Sequence, residues 1–179
     1  ARDAKLQVDI HPGISGSVLA RKHPESGKPE DLWAISGQAL WQAVKSFGGS
    51  LQELAVPRHD PTGEPPATHI AATRVVLDFH GVLGLGKVDG YTDVARTVLD
   101  NFAVSDGQGF EWFPYDWRLS NRHSARRLAE FIRPRLEVWR NIRGPHARVV
   151  LIAHSMGGLV ARYYLEVLDR ELVSYFPGT

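Results

Sequence analysis

Ser155 is the residue whose setting most resembles a catalytic one. It stands in Ala153-His154-Ser155-Met156-Gly157-Gly158, with small residues two positions before and two after it. Ahead of it runs Arg148-Val149-Val150-Leu151-Ile152, apolar and β-branched, the pattern of a strand buried on both faces of a parallel sheet. After it, Leu159, Val160, Tyr163, Tyr164 and Val167 recur at helical spacing. A serine on a sharp strand-to-helix turn with small neighbours is a nucleophile elbow, built to lift a hydroxyl clear of the sheet. The plain alternative is a serine that caps the following helix. Ala153 stands where glycine is commonest and is small enough to serve. His154 is adjacent to the serine, but neighbouring side chains point to opposite sides, so it reads as a packing residue and not as the base.

An acyl group on serine also needs donors for the oxyanion that forms with it. One is expected from the amide that follows the nucleophile, and the other from an early strand-to-loop junction. These positions are Met156 and, in His11-Pro12-Gly13-Ile14-Ser15-Gly16-Ser17, Ile14. Without the serine, the second stretch would be only a glycine turn.

The elements that must carry these residues follow from the pattern. Lys5 to Ile10 alternates as a strand feeding the Ile14 loop. Residues 20–72 form an excursion in which Lys22 to Asp31 is polar loop, while Leu32, Trp33, Ile35, Leu40, Trp41, Val44, Phe47 and Leu51 fit a helix. Trp33 and Trp41 are candidate anchors for a lipid substrate, or packing residues of a core helix. Thr73 to Phe79 reads as a strand, followed by the loop His80-Gly81-Val82-Leu83-Gly84-Leu85-Gly86-Lys87. Here Leu85 and His80 are candidates to line a substrate pocket. Gly81 to Lys87 also has the spacing of a phosphate loop, but Val88 stands where Ser or Thr would hold magnesium, so nucleotide binding remains the lesser alternative. A helix over Tyr91 to Phe102 presents Val94, Val98, Leu99 and Phe102, and a short strand covers Phe110 to Tyr115. Asn121 or Ser124 can cap the next helix, whose apolar face is Leu128, Phe131, Ile132, Leu136 and Trp139 and which Pro134 should kink or split. Strands alternating with helices after the excursion predict an α/β fold, a mainly parallel sheet flanked by helices.

Composition narrows the function. The 179 residues are 43% hydrophobic, enough for one domain with its own core, and carry a formal net charge of +1. That balance gives no argument for nucleic acid. The nine arginines between Arg118 and Arg148, against two glutamates, read as a solvated helix face in preference to a basic patch. With no cysteine there is no disulfide framework, thiolate metal site or cysteine nucleophile; no cofactor or metal is expected. No apolar run reaches the roughly 18 residues of a membrane span, and no signal-peptide pattern opens the chain, which fits a soluble protein and favours the cytoplasm.

Taken together, Pro12-Gly13-Ile14-Ser15-Gly16-Ser17, Pro114-Tyr115-Asp116-Trp117-Arg118 and Ala153-His154-Ser155-Met156-Gly157-Gly158 resemble, in content and order, the lecithin:cholesterol acyltransferase-like family of α/β-hydrolases. Gly84-Leu85-Gly86-Lys87 before a tyrosine-containing helix adds to the likeness. The resemblance implies a partial α/β-hydrolase fold with the C-terminal strands missing, residues 1–179 being the N-terminal portion of one such domain. It also implies a lipid or other ester as substrate, peripheral contact with a lipid surface, and acyl transfer from Ser155 to water or an alcohol. Animal members staple the excursion with a disulfide; this chain has no cysteine. In this architecture an acid and then a histidine follow the serine, whereas only Glu166, Asp169 and Glu171 follow Ser155 and no histidine does. The triad acid and base are therefore expected beyond Thr179, and the chain alone is expected to lack triad-level esterase activity. His11 and His80 are the substitutes to consider, and a non-catalytic fragment is the remaining alternative.

Overall fold

The computed structural model describes residues 6–22, 27, 29–33, 70–80, 87–89, 91–102, 104–106 and 109–168. Strands β1 (Leu6–His11), β2 (Ser17–Lys22), β3 (Pro29–Trp33), β4 (Ile70–Val75), β5 (Asp78–His80) and β6 (Lys87–Asp89) precede helix α1 (Thr92–Asn101). Strands β7 (Ser105–Asp106) and β8 (Gly109–Trp112), helix α2 (Asn121–Arg143), strand β9 (Arg148–Ala153) and helix α3 (Met156–Tyr163) follow, and a π-turn over Tyr164–Leu168 closes the described chain.

The sheet that positions the site is parallel, in the order β7-β8-β1-β9, with Leu6 opposite Arg148 and His11 opposite Ala153. Parallel strands need long crossovers, and α1 and α2 occupy them, one on each face. Val8 and Ile10 of β1, Phe110 of β8 and Val150 and Ile152 of β9 pack with Ala95 and Val98 of α1. On the other face Val149 and Leu151 meet Leu128, Ile132 and Leu136 of α2 and Val160 of α3. The side chains of each strand therefore alternate between two apolar clusters. Within the described residues β9 is an outer strand, so its residues are half-buried where the sequence suggested full burial.

Several expectations are corrected. Trp33 lies on β3, an antiparallel partner of β2, and not on a helix; it stands opposite Leu19, and Pro29 opposite Lys22, with an irregularity between Leu19 and Ala20. The strand expected over Thr73 to Phe79 is two strands. β4 joins β2 in an antiparallel three-stranded sheet, while β5 pairs with β6. Lys87 therefore begins a strand that returns on β5, not the helix that a phosphate loop opens, and α1 starts only at Thr92. Gly81 to Gly86 lie outside the described residues. In α1 the buried positions are Ala95 and Val98, while Val94 and Phe102 are exposed.

Helix α2 is capped by Ser120, whose hydroxyl accepts from the Arg122 N–H, and neither Asn121 nor Ser124 is the cap. It runs 23 residues through Pro134 without a break. Four of its arginines are engaged with the protein: Arg127 pairs with Glu130, Arg135 lies over the Phe131 ring, Arg143 over Trp139, and Arg133 donates to the Leu168 carbonyl. Among the described residues no helix is long and apolar enough to cross a membrane.

Candidate active site

The turn between β9 and α3 takes its shape from Ser155, whose φ of 53° and ψ of −120° lie where side chains are strained. Its side chain makes no capping bond to the helix, which removes the plain alternative of a helix cap, and the residue is exposed. Gly157 explains how so sharp a bend fits. A Cβ there would lie 2.5 Å from the Pro12 carbonyl oxygen and 2.8 Å from that of His11, so only glycine lets α3 start against the end of β1. The His154 N–H bonds to the His11 carbonyl at 3.1 Å, extending the β1–β9 ladder to the residue before the serine.

The loop after β1 meets this turn. A Cβ on Gly13 would stand 3.0 Å from the Ser155 Cβ and 3.0 Å from His154 Nδ1, so Ile14 follows a residue in contact with the elbow. The Gly16 N–H closes a turn on the Gly13 carbonyl at 3.0 Å, with Ser15 at a φ of 62°. Positive φ at the third turn residue is a type II feature, in which the second residue's N–H is not used by the turn. That second residue is Ile14, exposed at 61%. Met156 is the first residue of α3, where a helix leaves its N–H groups unpaired internally. Among the described residues neither the Ile14 nor the Met156 N–H has an acceptor.

Aromatic side chains from distant segments hold the loop. Tyr91, just before α1, accepts from the Gly13 N–H at 2.7 Å, and its hydroxyl is 3.0 Å from His154 Nδ1. Tyr115 donates to the Pro12 carbonyl at 2.9 Å, while its own N–H bonds to the Ser17 hydroxyl. Burial, with Tyr91 nearby, holds the Tyr115 phenol above the usual tyrosine range, so it keeps its proton. The indole N–H of Trp33 donates to the Ser15 carbonyl at 3.3 Å, and that of Trp117 to the Ser17 carbonyl at 3.2 Å, the two rings meeting edge to face. Arg118 folds back on Asp116 through two bonds, Nε to Oδ1 at 2.8 Å and Nη2 to Oδ2 at 2.5 Å, with both side chains over 90% buried. The Pro114–Arg118 stretch therefore braces the 12–17 loop.

Of the residues singled out by sequence, Met156 follows Ser155 in the turn, Ile14 follows Gly13, which lies against Ser155, and Trp33 bonds to the Ser15 carbonyl. Trp41 and Leu85 lie outside the described residues, as does the side chain of His80, whose backbone ends β5. His154 is exposed and bonded to Tyr91 where packing was expected. His11 is fully buried, neither ring nitrogen has a partner among the described residues, and burial alone lowers its pKa to about 4, so it is not hydrogen-bonded to Ser155. Tyr91 and Tyr115 were missed as site residues; Tyr115 lay in a noted motif, but nothing in the sequence showed that its hydroxyl reaches Pro12. Among the described residues no group of three His, Cys, Asp or Glu side chains could hold a metal ion.

A lecithin:cholesterol acyltransferase family model matches residues 64–174, more than half of the chain. The chain belongs to that family. An uncharacterized protein of Saccharomyces cerevisiae is 32% identical over 77 residues, a match that covers 43% of this chain and 11% of the yeast protein.

Proposed function

We propose that this segment carries the nucleophile and oxyanion donors of a lipid ester hydrolase or O-acyltransferase, as the N-terminal portion of an α/β-hydrolase domain. Ser155 attacks the ester carbonyl, and the Ile14 and Met156 N–H groups bind the oxygen that becomes negative. The observation that carries the reading is the strained, uncapped Ser155 beside the 12–16 loop.

The steps balance without a cofactor. A base takes the Ser155 proton as Oγ bonds to the carbonyl carbon, giving a tetrahedral oxyanion. Its collapse breaks the ester C–O bond, the alcohol leaves with that proton, and the acyl group stays on Ser155. Water or an acceptor alcohol then reverses the sequence, releasing acid or a new ester. Among the described histidines none bonds to the Ser155 hydroxyl, and the reading looks for base and acid among residues other than these. Trp33 joins the site by steadying the Ser15 peptide and offers a ring beside it for an acyl chain.

The test uses the complete protein and a medium-chain phospholipid or glyceride ester, with a fluorophosphonate to trap the nucleophile. Ser155→Ala is expected to lower turnover by about 10⁴-fold or more and abolish trapping. Residues 1–179 alone are expected to turn over no nitrophenyl ester. Trapping on another serine, or full turnover by Ser155→Ala, refutes the assignment.

A further inference from the structure

We propose that Tyr91 and Tyr115 are positioning residues that grip one peptide group, Pro12–Gly13, by its two opposite edges and so aim the next N–H, that of Ile14, at the site of the oxyanion. The inference rests on Ser155 and Ile14 acting as described above.

The carbonyl and N–H of a trans peptide point in opposite directions within one rigid plane. Tyr115 donates to the carbonyl of this peptide at 2.9 Å, and Tyr91 accepts from its N–H at 2.7 Å. Bonds on both edges fix the rotation of the plane about the line joining the two Cα atoms, a freedom that either bond alone would leave soft. Pro12, fully buried, restricts the chain just before the plane through its ring. Just after it, the Gly13 carbonyl is held by the Gly16 N–H. Gly13 therefore sits between two held peptides, and the second of them carries the Ile14 N–H, pointing opposite to the Gly13 carbonyl. The two tyrosines come from opposite sides, one from the start of α1 and one from the segment after β8, so the sheet and both of its faces determine the orientation.

Proton bookkeeping gives each phenol one role toward the peptide. Tyr115 must donate, because a carbonyl cannot, and its buried hydroxyl stays protonated. Tyr91 accepts from Gly13, and its hydroxyl also bonds to His154 Nδ1 at 3.0 Å, as donor or acceptor according to the tautomer of that ring. The clamp thereby reaches the residue next to the nucleophile. It also explains why Tyr91, at the helix-cap position of α1, makes no side-chain cap.

The experiment compares Tyr91→Phe and Tyr115→Phe in the complete protein, with the ester assay and ¹⁵N NMR of Gly13 and Ile14. Each substitution keeps the ring and removes only the hydroxyl. A misaimed oxyanion donor lowers kcat about tenfold and leaves KM within about twofold. The double substitution is expected to fall short of the product of the single effects, because both act on one peptide. In Tyr91→Phe the Gly13 N–H resonance should move and its exchange quicken, while amides of α2 stay unchanged. Unchanged kcat in Tyr91→Phe, with Ser155→Ala inactive, overturns the clamp and leaves the nucleophile standing. A protein inactive toward every ester removes the nucleophile reading, and the Gly13 signal then decides whether the peptide is gripped at all. Should Tyr115→Phe fail to fold, Tyr91→Phe decides alone.

Discussion

The chain that forms β1 and continues to Ser17 treats polar groups in two opposite ways. Beyond His11 most of the groups are buried but partnered: the Gly13 N–H, the Pro12 and Ser15 carbonyls and the Ser17 hydroxyl each have a donor or acceptor from elsewhere in the fold, and the Gly13 carbonyl has one within the loop. Within β1, on the face toward α2, Asp9 and His11 are fully buried, and the Asp9 Oδ2 and both His11 ring nitrogens are unpartnered among the described residues. Burial raises the Asp9 pKa to about 7, with the Gln7 bond opposing it and Glu111 adding to it, and lowers that of His11 to about 4. Between those values both side chains are neutral. The difference separates two uses of polarity. The loop turns hydrogen bonds into a fixed direction for one N–H, whereas the interior row contributes volume and no charge. Titratable residues at the foot of a site are thus not part of its chemistry merely because they are near.

The loop end is broken most severely by Gly157→Ala. The added methyl would meet two backbone carbonyl oxygens, at 2.5 and 2.8 Å, and neither can swing aside as a side-chain tip could. We expect a loss of about 3 kcal/mol or more in chemical denaturation, at the upper end of overpacking effects, with ester turnover falling in parallel. Gly158→Ala, whose added carbon meets nothing within 4 Å, serves as the control and should be close to neutral. Equal losses at the two glycines would show that side chains are refused along the start of α3 for some reason other than the contact with β1.

Legibility in the sequence followed the same division. The elbow could be read because its requirements are local: a β-branched run, small residues around Ser155 and a helical repeat behind it. The parallel sheet and its flanking helices could be read from alternating periods. Trp33 was misplaced because Leu32, Trp33 and Ile35 fit a helical repeat, while the pairing that makes Pro29–Trp33 a strand lies in β2, outside any local window. Thr73 to Phe79 looked like one strand for the same reason; the β2 partners of Arg74 and Val75, Val18 and Ser17, are more than fifty residues away. Pro134 was expected to kink or split α2; the helix is not split, held on both sides of the proline by the burial of Leu128, Ile132 and Leu136. The tyrosine contacts are of longer range still, since Gly13 and Tyr91 are 78 residues apart.

The interior row is tested by acidity. His11 has a folded pKa of about 4 against an ordinary 6.5, so between those values the unfolded chain holds its proton and the folded one does not. Its contribution to stability is present above pH 6.5 and is lost as the pH falls toward 4. Asp9, at about 7 against 3.8, does the reverse: the folded state holds the extra proton, and stability is lost as the pH rises from 3.8 to 7. From about pH 4 to 6.5 the two slopes oppose each other, and the contribution of this pair to the pH dependence should be nearly flat. Asp9→Asn removes one slope and unmasks the other. Its stability relative to the parent should rise by about 2–3 kcal/mol between pH 4 and 6.5, read from urea midpoints at constant m-value. A difference that is constant with pH would mean that Asp9 ionises in the folded state as it does in the unfolded chain.

The last comparison concerns sign more than size. If Ser155 were a helix cap, replacing it would lose stability, by a few tenths of a kcal/mol for glycine. Ser155 instead makes no capping bond and holds a φ of 53°, which glycine adopts freely. Ser155→Gly should therefore gain about 1 kcal/mol, after allowance for the greater freedom of glycine in the unfolded chain, while losing all nucleophilic activity. Stability and turnover moving in opposite directions at one atom pair, Cβ and Oγ, is what strain maintained for chemistry implies. A variant no more stable than the parent would mean that the bend at position 155 carries no strain for the reaction to account for.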